Sequence, residues 1–84
     1  LAARYEEIFG RLVSYDAAHG TDYEITLAQY LRHSAQLGGT AEALGVHRHT
    51  VRTRIAKIQK LCEISLDNPA HFSEAYLAMT AFAP

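Results

Sequence analysis

A short basic segment is the part of the sequence whose chemistry is easiest to interpret. Residues 47–60 read HRHTVRTRIAKIQK and contain no acidic residue. They hold five of the chain's eight lysines and arginines. The rest of the chain contains the other three and all nine acidic residues. Lysine and arginine bind phosphates, and arginine also donates two hydrogen bonds to guanine. This uneven distribution, more than the net charge of -1, predicts a polyanionic partner.

Apolar residues recur through the same segment at helical spacing. Val51, Ile55, Ile58 and Cys62 follow one another at intervals of four, three and four residues, which predicts a helix over about residues 48–61 with one buried face. The opposite face holds His49, Thr53, Ala56, Lys57 and Lys60, with Thr50 at its edge. Arg48 and Arg52 flank one boundary of this face and Arg54 flanks the other. The helix would thus present a polar, basic side to solvent.

The residues before this helix predict the element that positions it. Thr40 to Leu44 forms a short predicted helix, Gly45 suits the left-handed residue that ends a helix, and Val46 is a predicted core contact. Two helices joined by a short glycine turn, the second helix basic, indicate a helix-turn-helix. In that motif the first residues of the second helix read base edges in the major groove. We therefore predict base contacts by Arg48, His49, Thr50, Arg52 and Thr53.

The remaining polar residues of the segment have predicted roles as well. Lys57 and Lys60 lie further along the helix and are predicted to contact phosphates. His47 is predicted to cap the helix or to contact a phosphate. Arg54 has two open interpretations, because it could reach a phosphate or pair with an acid such as Glu42.

The rest of the chain predicts supporting helices. The stripe of Leu1, Tyr5, Ile8 and Leu12 predicts a helix over about residues 1–13, broken by a polar stretch that ends at Gly20. Thr21 to Glu24 has the form of a capping box, so Thr21 is predicted to cap a helix that runs to about Ser34. Gly38 and Gly39 are predicted to interrupt it.

A last helix is predicted to begin at Asn68, as its cap, and Pro69, as its first residue. No run alternates with a period of two for long enough to form a strand. The predicted fold is an all-α, small helical bundle. We expect a single domain over residues 1–84, with supporting helices in 1–36, the helix-turn-helix in 37–62 and a C-terminal helix in 63–84.

Several motifs together resemble a known family. They are Tyr15-Asp16, His19-Gly20-Thr21, Leu27, Tyr30-Leu31, the run from Ala41 to Ile55 that includes ALGVHRHTVRTRI, and Leu66-Asp67 with Pro69. This set resembles the C-terminal DNA-binding domain of PucR/CdaR-type bacterial transcriptional regulators. The family commonly has asparagine where this chain has His49 and tyrosine where it has Thr53.

The resemblance implies a Fis-like helix-turn-helix that binds double-stranded DNA in the cytoplasm, with other helices supporting a homodimer. It also implies a longer regulator, in which a small-molecule effector binds outside this chain. Since the first residue is Leu1, we expect a segment of such a protein.

Other functional classes find little support in the sequence. There is no glycine-rich phosphate loop, nucleophile motif or carboxylate pair, so we predict a non-enzyme without a cofactor. His47 and His49 are two residues apart and do not share a helix face, so no metal site is predicted. The single cysteine, Cys62, fits a small core residue in a reducing compartment. No apolar run approaches the roughly 18 to 20 residues of a membrane span.

One alternative function from a different class stays open. The chain could be a helical oligomerisation or protein-interaction module whose basic face meets an acidic partner. Two groups of apolar residues are candidate dimer surfaces: Leu1, Tyr5, Ile8 and Phe9 near the start, and Phe72, Tyr76 and Phe82 near the end.

Overall fold

The fold is all-α, as the sequence predicts. The computed structural model describes residues 6–82, with side chains as far as residue 80. Within this part of the chain five α-helices and no strand are present. They are α1 (Arg11–His19), α2 (Tyr23–Arg32), α3 (Leu37–Leu44), α4 (Arg48–Cys62) and α5 (Pro69–Phe82), and a π-helical turn (Glu6–Gly10) precedes α1.

The first helix extends further than its predicted end near residue 13. Residues 1–5 of that prediction lie outside the described part of the chain. From Arg11 the helix continues through Ala17 and Ala18 to His19 and ends at Gly20, whose φ is 66°. The polar residues of 14–19 do not break the helix, because the two alanines are strong helix formers and Gly20 supplies the left-handed stop.

The predicted capping box at the start of α2 is wrong. The residue that precedes α2 is Asp22, and its side chain makes no capping hydrogen bond. The hydroxyl of Thr21 instead donates to the Asp16 carboxylate in α1. That carboxylate accepts the backbone N–H groups of Tyr23 at 2.9 Å and Glu24 at 3.0 Å. A side chain of the preceding helix thus satisfies the first turn of α2.

The break between α2 and α3 also differs from the prediction. The helix ends at Arg32, and Ser34 and Ala35 reverse the chain with φ values of 53° and 65°. Gly38 and Gly39 lie inside α3. The chain thus leaves the helix at two consecutive left-handed residues, which cannot continue a right-handed helix. The two glycines adopt helical backbone angles and do not interrupt a helix.

The core is built around α4. Val51, Ile55, Ile58 and Cys62 are all buried, which confirms the predicted inner face. They belong to one hydrophobic cluster with residues from the other helices, among them Leu12, Leu27, Leu31, Ala75 and Met79. The long basic helix is therefore held by a core that the other helices of the described chain share.

The two candidate dimer surfaces differ in how far their side chains are exposed. Ile8 and Phe9 are buried in the same cluster, so they cannot form an exposed dimer surface. Leu1 and Tyr5, and the side chain of Phe82, lie outside the described part. On α5 the buried face consists of Ala75, Ala78 and Met79, while Phe72 is half-buried and Tyr76 is 41% exposed. Of the candidate dimer residues on α5, Tyr76 is therefore open to solvent and Phe72 only in part.

Candidate nucleic-acid interface

The turn between α3 and α4 has a defined geometry. Gly45 ends α3 with φ 69°, and its N–H donates to Glu42 O at 3.3 Å. The Val46 N–H donates to Ala41 O at 3.1 Å. This pair of hydrogen bonds is the Schellman motif, which requires a left-handed residue at the position of Gly45. Val46 packs on the core next to it, so the turn sets the angle at which α4 leaves α3.

His47 caps the first turn of α4, which confirms one of its two predicted roles. It adopts an extended conformation, and its Nδ1 accepts the His49 N–H at 3.0 Å. An imidazole that accepts at Nδ1 carries its hydrogen on Nε2 when neutral. The exposed ring therefore keeps one donor available to solvent or to a ligand.

The outward face of α4 is exposed along its length. Arg48, His49, Thr53, Ala56, Lys57 and Lys60 are all exposed, and Thr50 is half-buried at the edge. With the apolar residues on the opposite side, the helix presents a basic surface to solvent. The structure thus places these predicted site residues on one accessible face or at its edge.

Arg52 lies at the side of this face, in a groove. The groove has a volume of about 400 Å³ and is lined by Tyr30, Arg52 and Asp67 among others. Burial raises the pKa of the Tyr30 hydroxyl, and the nearby negative charge of Asp67 raises it further. Arg52 itself is exposed, so its guanidinium is accessible from the open side of the groove.

Arg54 lies on the other flank and contacts α2. Its Nη1 donates to Thr26 Oγ1 at 3.2 Å. The open interpretation in which Arg54 pairs with an acid such as Glu42 is not realised among the described residues, where its side chain is directed toward α2. Whether Arg54 also contacts a phosphate stays a prediction.

The far end of α4 is fixed by contacts with two other parts of the chain. Glu63 ends the helix with φ 54°, and the Gln59 side chain accepts the Leu66 N–H at 2.7 Å. Arg11 of α1 donates to Leu61 O at 3.0 Å and to Glu63 at 3.3 Å. The last turn of α4, near Lys60, is therefore held in place.

The histidines and carboxylates of the described chain do not form a metal site. No group of three or more His, Cys, Asp or Glu side chains is arranged to hold a metal ion within residues 6–80. His19, His33 and His71 each bond to nearby backbone instead. Among the helices of the described residues, none is long and apolar enough to cross a membrane.

Two residues that support this surface were not predicted from the sequence. Thr26 holds Arg54, and Asp16 caps α2. The signal for Thr26 is a polar residue beside the apolar stripe of α2, where a hydroxyl needs a partner. The signal for Asp16 is weaker, because an aspartate near a helix end is common.

The helices α3 and α4 with the Gly45 turn form a helix-turn-helix, the class of small helical domain through which many regulators bind DNA. The family described as "PucR C-terminal helix-turn-helix domain" matches residues 24–81, which are more than half of the chain. The chain belongs to this family of DNA-binding, transcription-regulating domains.

A relative from Thermomonospora curvata, described as "Uncharacterized protein in pkwA 5'region", is 32% identical over 75 residues. That alignment covers 89% of this chain but only 41% of the relative, so the chain spans less than half of the relative's length. No solved structure matches the chain significantly.

Proposed function

We propose that this chain is the sequence-specific DNA-binding output domain of a bacterial transcriptional regulator. One observation carries the proposal: α4 exposes a basic face in a chain that belongs to a family of helix-turn-helix domains. The turn after α3 holds α4 in place. In this proposal α4 enters the major groove, and its first turns contact base edges through Arg48, His49, Thr50, Arg52 and Thr53. The proposed role is binding rather than catalysis.

Phosphates are contacted by the remaining basic groups. Lys57 and Lys60 lie along the exposed face, beyond the residues proposed to contact bases. The Nε2 of His47 has a donor available, because Nδ1 is used in the cap. Such contacts position the protein and make affinity depend on salt, while the base contacts supply specificity.

The proposed assembly is a homodimer in the bacterial cytoplasm, and the effector binds in a part of the regulator outside this chain. One helix-turn-helix reads only a short site. Two copies read two half-sites, which raises the affinity for the specific site relative to other DNA. The observation that supports a dimer is the apolar surface of α5, where Tyr76 is 41% and Leu77 is 53% exposed. The same surface favours the second candidate function, a helical interaction module without DNA affinity.

Selection from random DNA duplexes tests the proposal, carried out at about 50 and 200 mM salt, a range over which phosphate contacts change affinity strongly. We expect an enriched motif with two-fold symmetry, because a symmetric dimer places one α4 on each half-site. Binding without enrichment would mean that the chain contacts DNA phosphates but does not recognise a particular sequence. No binding at either salt concentration would favour the interaction module, and sedimentation at both would then show whether the chain still dimerises.

A further inference from the structure

A buried hydroxyl of α2 orients the Arg54 guanidinium. Thr26 Oγ1 accepts Arg54 Nη1 at 3.2 Å and itself donates to Asp22 O at 2.6 Å. The Thr26 side chain is 0% exposed, so water does not compete for the hydroxyl. Because its only hydrogen is directed to Asp22, its lone pairs are left to face the arginine.

The arginine retains its charge and most of its donors. A guanidinium has five N–H donors, and Thr26 accepts from one of its nitrogens. Among the described residues no carboxylate forms an ion pair with Arg54; the ion pair found there joins Arg11 and Glu63. A neutral hydroxyl thus fixes the position of the guanidinium without neutralising it, which differs from a structural salt bridge.

The position of Arg54 suits a phosphate rather than a base. It is half-buried on the flank of α4, beside the exposed face that carries Lys57 and Lys60. When a helix occupies the major groove, its flanks face the sugar-phosphate strands that border the groove. The remaining N–H groups of a held guanidinium match the oxygens of a phosphate.

We infer that Thr26 is a positioning residue for DNA binding, which holds Arg54 for a phosphate contact without touching DNA itself. This inference rests on the proposed function. The hydrogen bond to Thr26 restricts the arginine before DNA arrives, so less side-chain entropy is lost on binding. A residue of a supporting helix thereby contributes to affinity through the recognition helix.

The chain contains a matched control for this role. Thr40 in α3 is also 0% exposed and also donates to the carbonyl four residues earlier, Gln36 O at 2.7 Å. No arginine donates to Thr40 in the described structure. Thr40→Val therefore removes the same kind of buried hydroxyl and the same backbone hydrogen bond as Thr26→Val, but leaves Arg54 in place.

The experiment measures affinity for a random-sequence duplex at several salt concentrations for Thr26→Val, Thr40→Val, Thr26→Ser and Arg54→Gln. We expect Arg54→Gln to weaken binding and reduce the slope of log affinity against log salt by about 1. Thr26→Val should bind about 3- to 10-fold more weakly than Thr40→Val, the range expected for one lost hydrogen bond. Thr26→Ser should restore binding. Thermal unfolding confirms that each variant is folded at the assay temperature.

A double-mutant cycle separates positioning from general destabilisation. In the Arg54→Gln background, Thr26→Val and Thr40→Val should bind DNA equally, because no arginine is left to position. Equal binding of the two valine variants in the wild-type background would overturn the inference, as would an unchanged salt slope for Arg54→Gln. If the wild-type chain bound no duplex at all, the proposed function itself would fail and the inference with it.

Discussion

The Asp16 carboxylate in α1 accepts the backbone N–H of Glu24 in α2 at 3.0 Å. The same carboxylate accepts the Tyr23 N–H and the Thr21 hydroxyl, so one side chain joins the end of α1 to the start of α2. Burial raises the pKa of Asp16, but the hydrogen bonds from Thr21, Glu24 and Tyr23 outweigh it, and the pKa lies below its ordinary value. The charged form of this carboxylate therefore stabilises the folded state.

We expect Asp16→Asn to lower the free energy of unfolding at neutral pH by about 0.5–2 kcal/mol, the usual range for a lost helix cap. Because the folded-state pKa is lowered, the contribution of Asp16 is present above its unfolded pKa and is lost as pH falls through the folded value. Urea unfolding from pH 7 to below pH 4 checks this. The difference between wild type and variant should shrink in acid.

Asp22→Asn is the control for this prediction. Asp22 is exposed and its side chain makes no capping hydrogen bond. The substitution removes a negative charge from the same end of α2 without removing the hydrogen bonds that Asp16 accepts. It should cost less than Asp16→Asn at neutral pH. Equal losses for the two variants would mean that the charge alone, rather than the hydrogen bonds, is responsible.

The helix-turn-helix was predictable because its signals are local. Four apolar residues at helical spacing mark the inner face of α4, and Gly45 marks the turn, so both are visible within a few residues of sequence. The start of α5 follows the same logic, since Asn68 accepts the Ala70 N–H at 2.9 Å just before the helix.

The contacts that brace the site were not predictable in this way. Asp16 and Thr21 are both good acceptors for the first N–H groups of α2, and only the approach of α1 decides between them. Thr26 and Arg54 are 28 residues apart and meet only after α2 packs on α4. Ser34 and Ala35 carry no glycine signal, yet both adopt a positive φ, and their N–H groups donate to Leu31 O and Tyr30 O at the end of α2.

Gly45→Ala tests the turn. A Cβ at this position would meet nothing within 4 Å, so its cost comes from the positive φ of 69° alone. We expect a loss of about 1–2 kcal/mol in the free energy of unfolding, the usual cost of a left-handed L-residue. Affinity for DNA should fall as well if the angle of α4 changes. Denaturant unfolding and duplex binding provide the two readouts.

Gly38→Ala is its matched control. A Cβ at Gly38 would also meet nothing within 4 Å, but this glycine lies inside α3 and has no positive φ. Alanine there should raise stability by about 0.5–1 kcal/mol, because glycine is a poor helix former. Should the two alanine variants shift stability in the same direction, backbone conformation would not explain the requirement for Gly45.

Asp67→Asn tests the charge in the groove beside Arg52. Removing this carboxylate should lower the pKa of Tyr30, although burial keeps it above the ordinary value. It should also strengthen duplex binding well under tenfold, as expected for one exposed charge, with a smaller gain at higher salt. Tyrosine absorbance during alkaline titration and binding at two salt concentrations measure these effects. An unaltered titration would place Asp67 too far from Tyr30 to matter.

Arg52→Ala and Lys57→Ala should weaken DNA binding in different ways. Both side chains are exposed on α4, but Arg52 lies nearer its start, where helices in the major groove read bases. Arg52→Ala should cost about 1–3 kcal/mol on the preferred duplex and relax specificity at one base pair. Lys57→Ala should weaken all duplexes similarly and lower the salt slope by about 1.

Arg32→Ala, which removes an exposed charge from α2, should leave the preferred sequence unchanged. If Arg52→Ala weakened every duplex equally, Arg52 would be a phosphate contact, and base reading would rest on Arg48, His49 and the threonines.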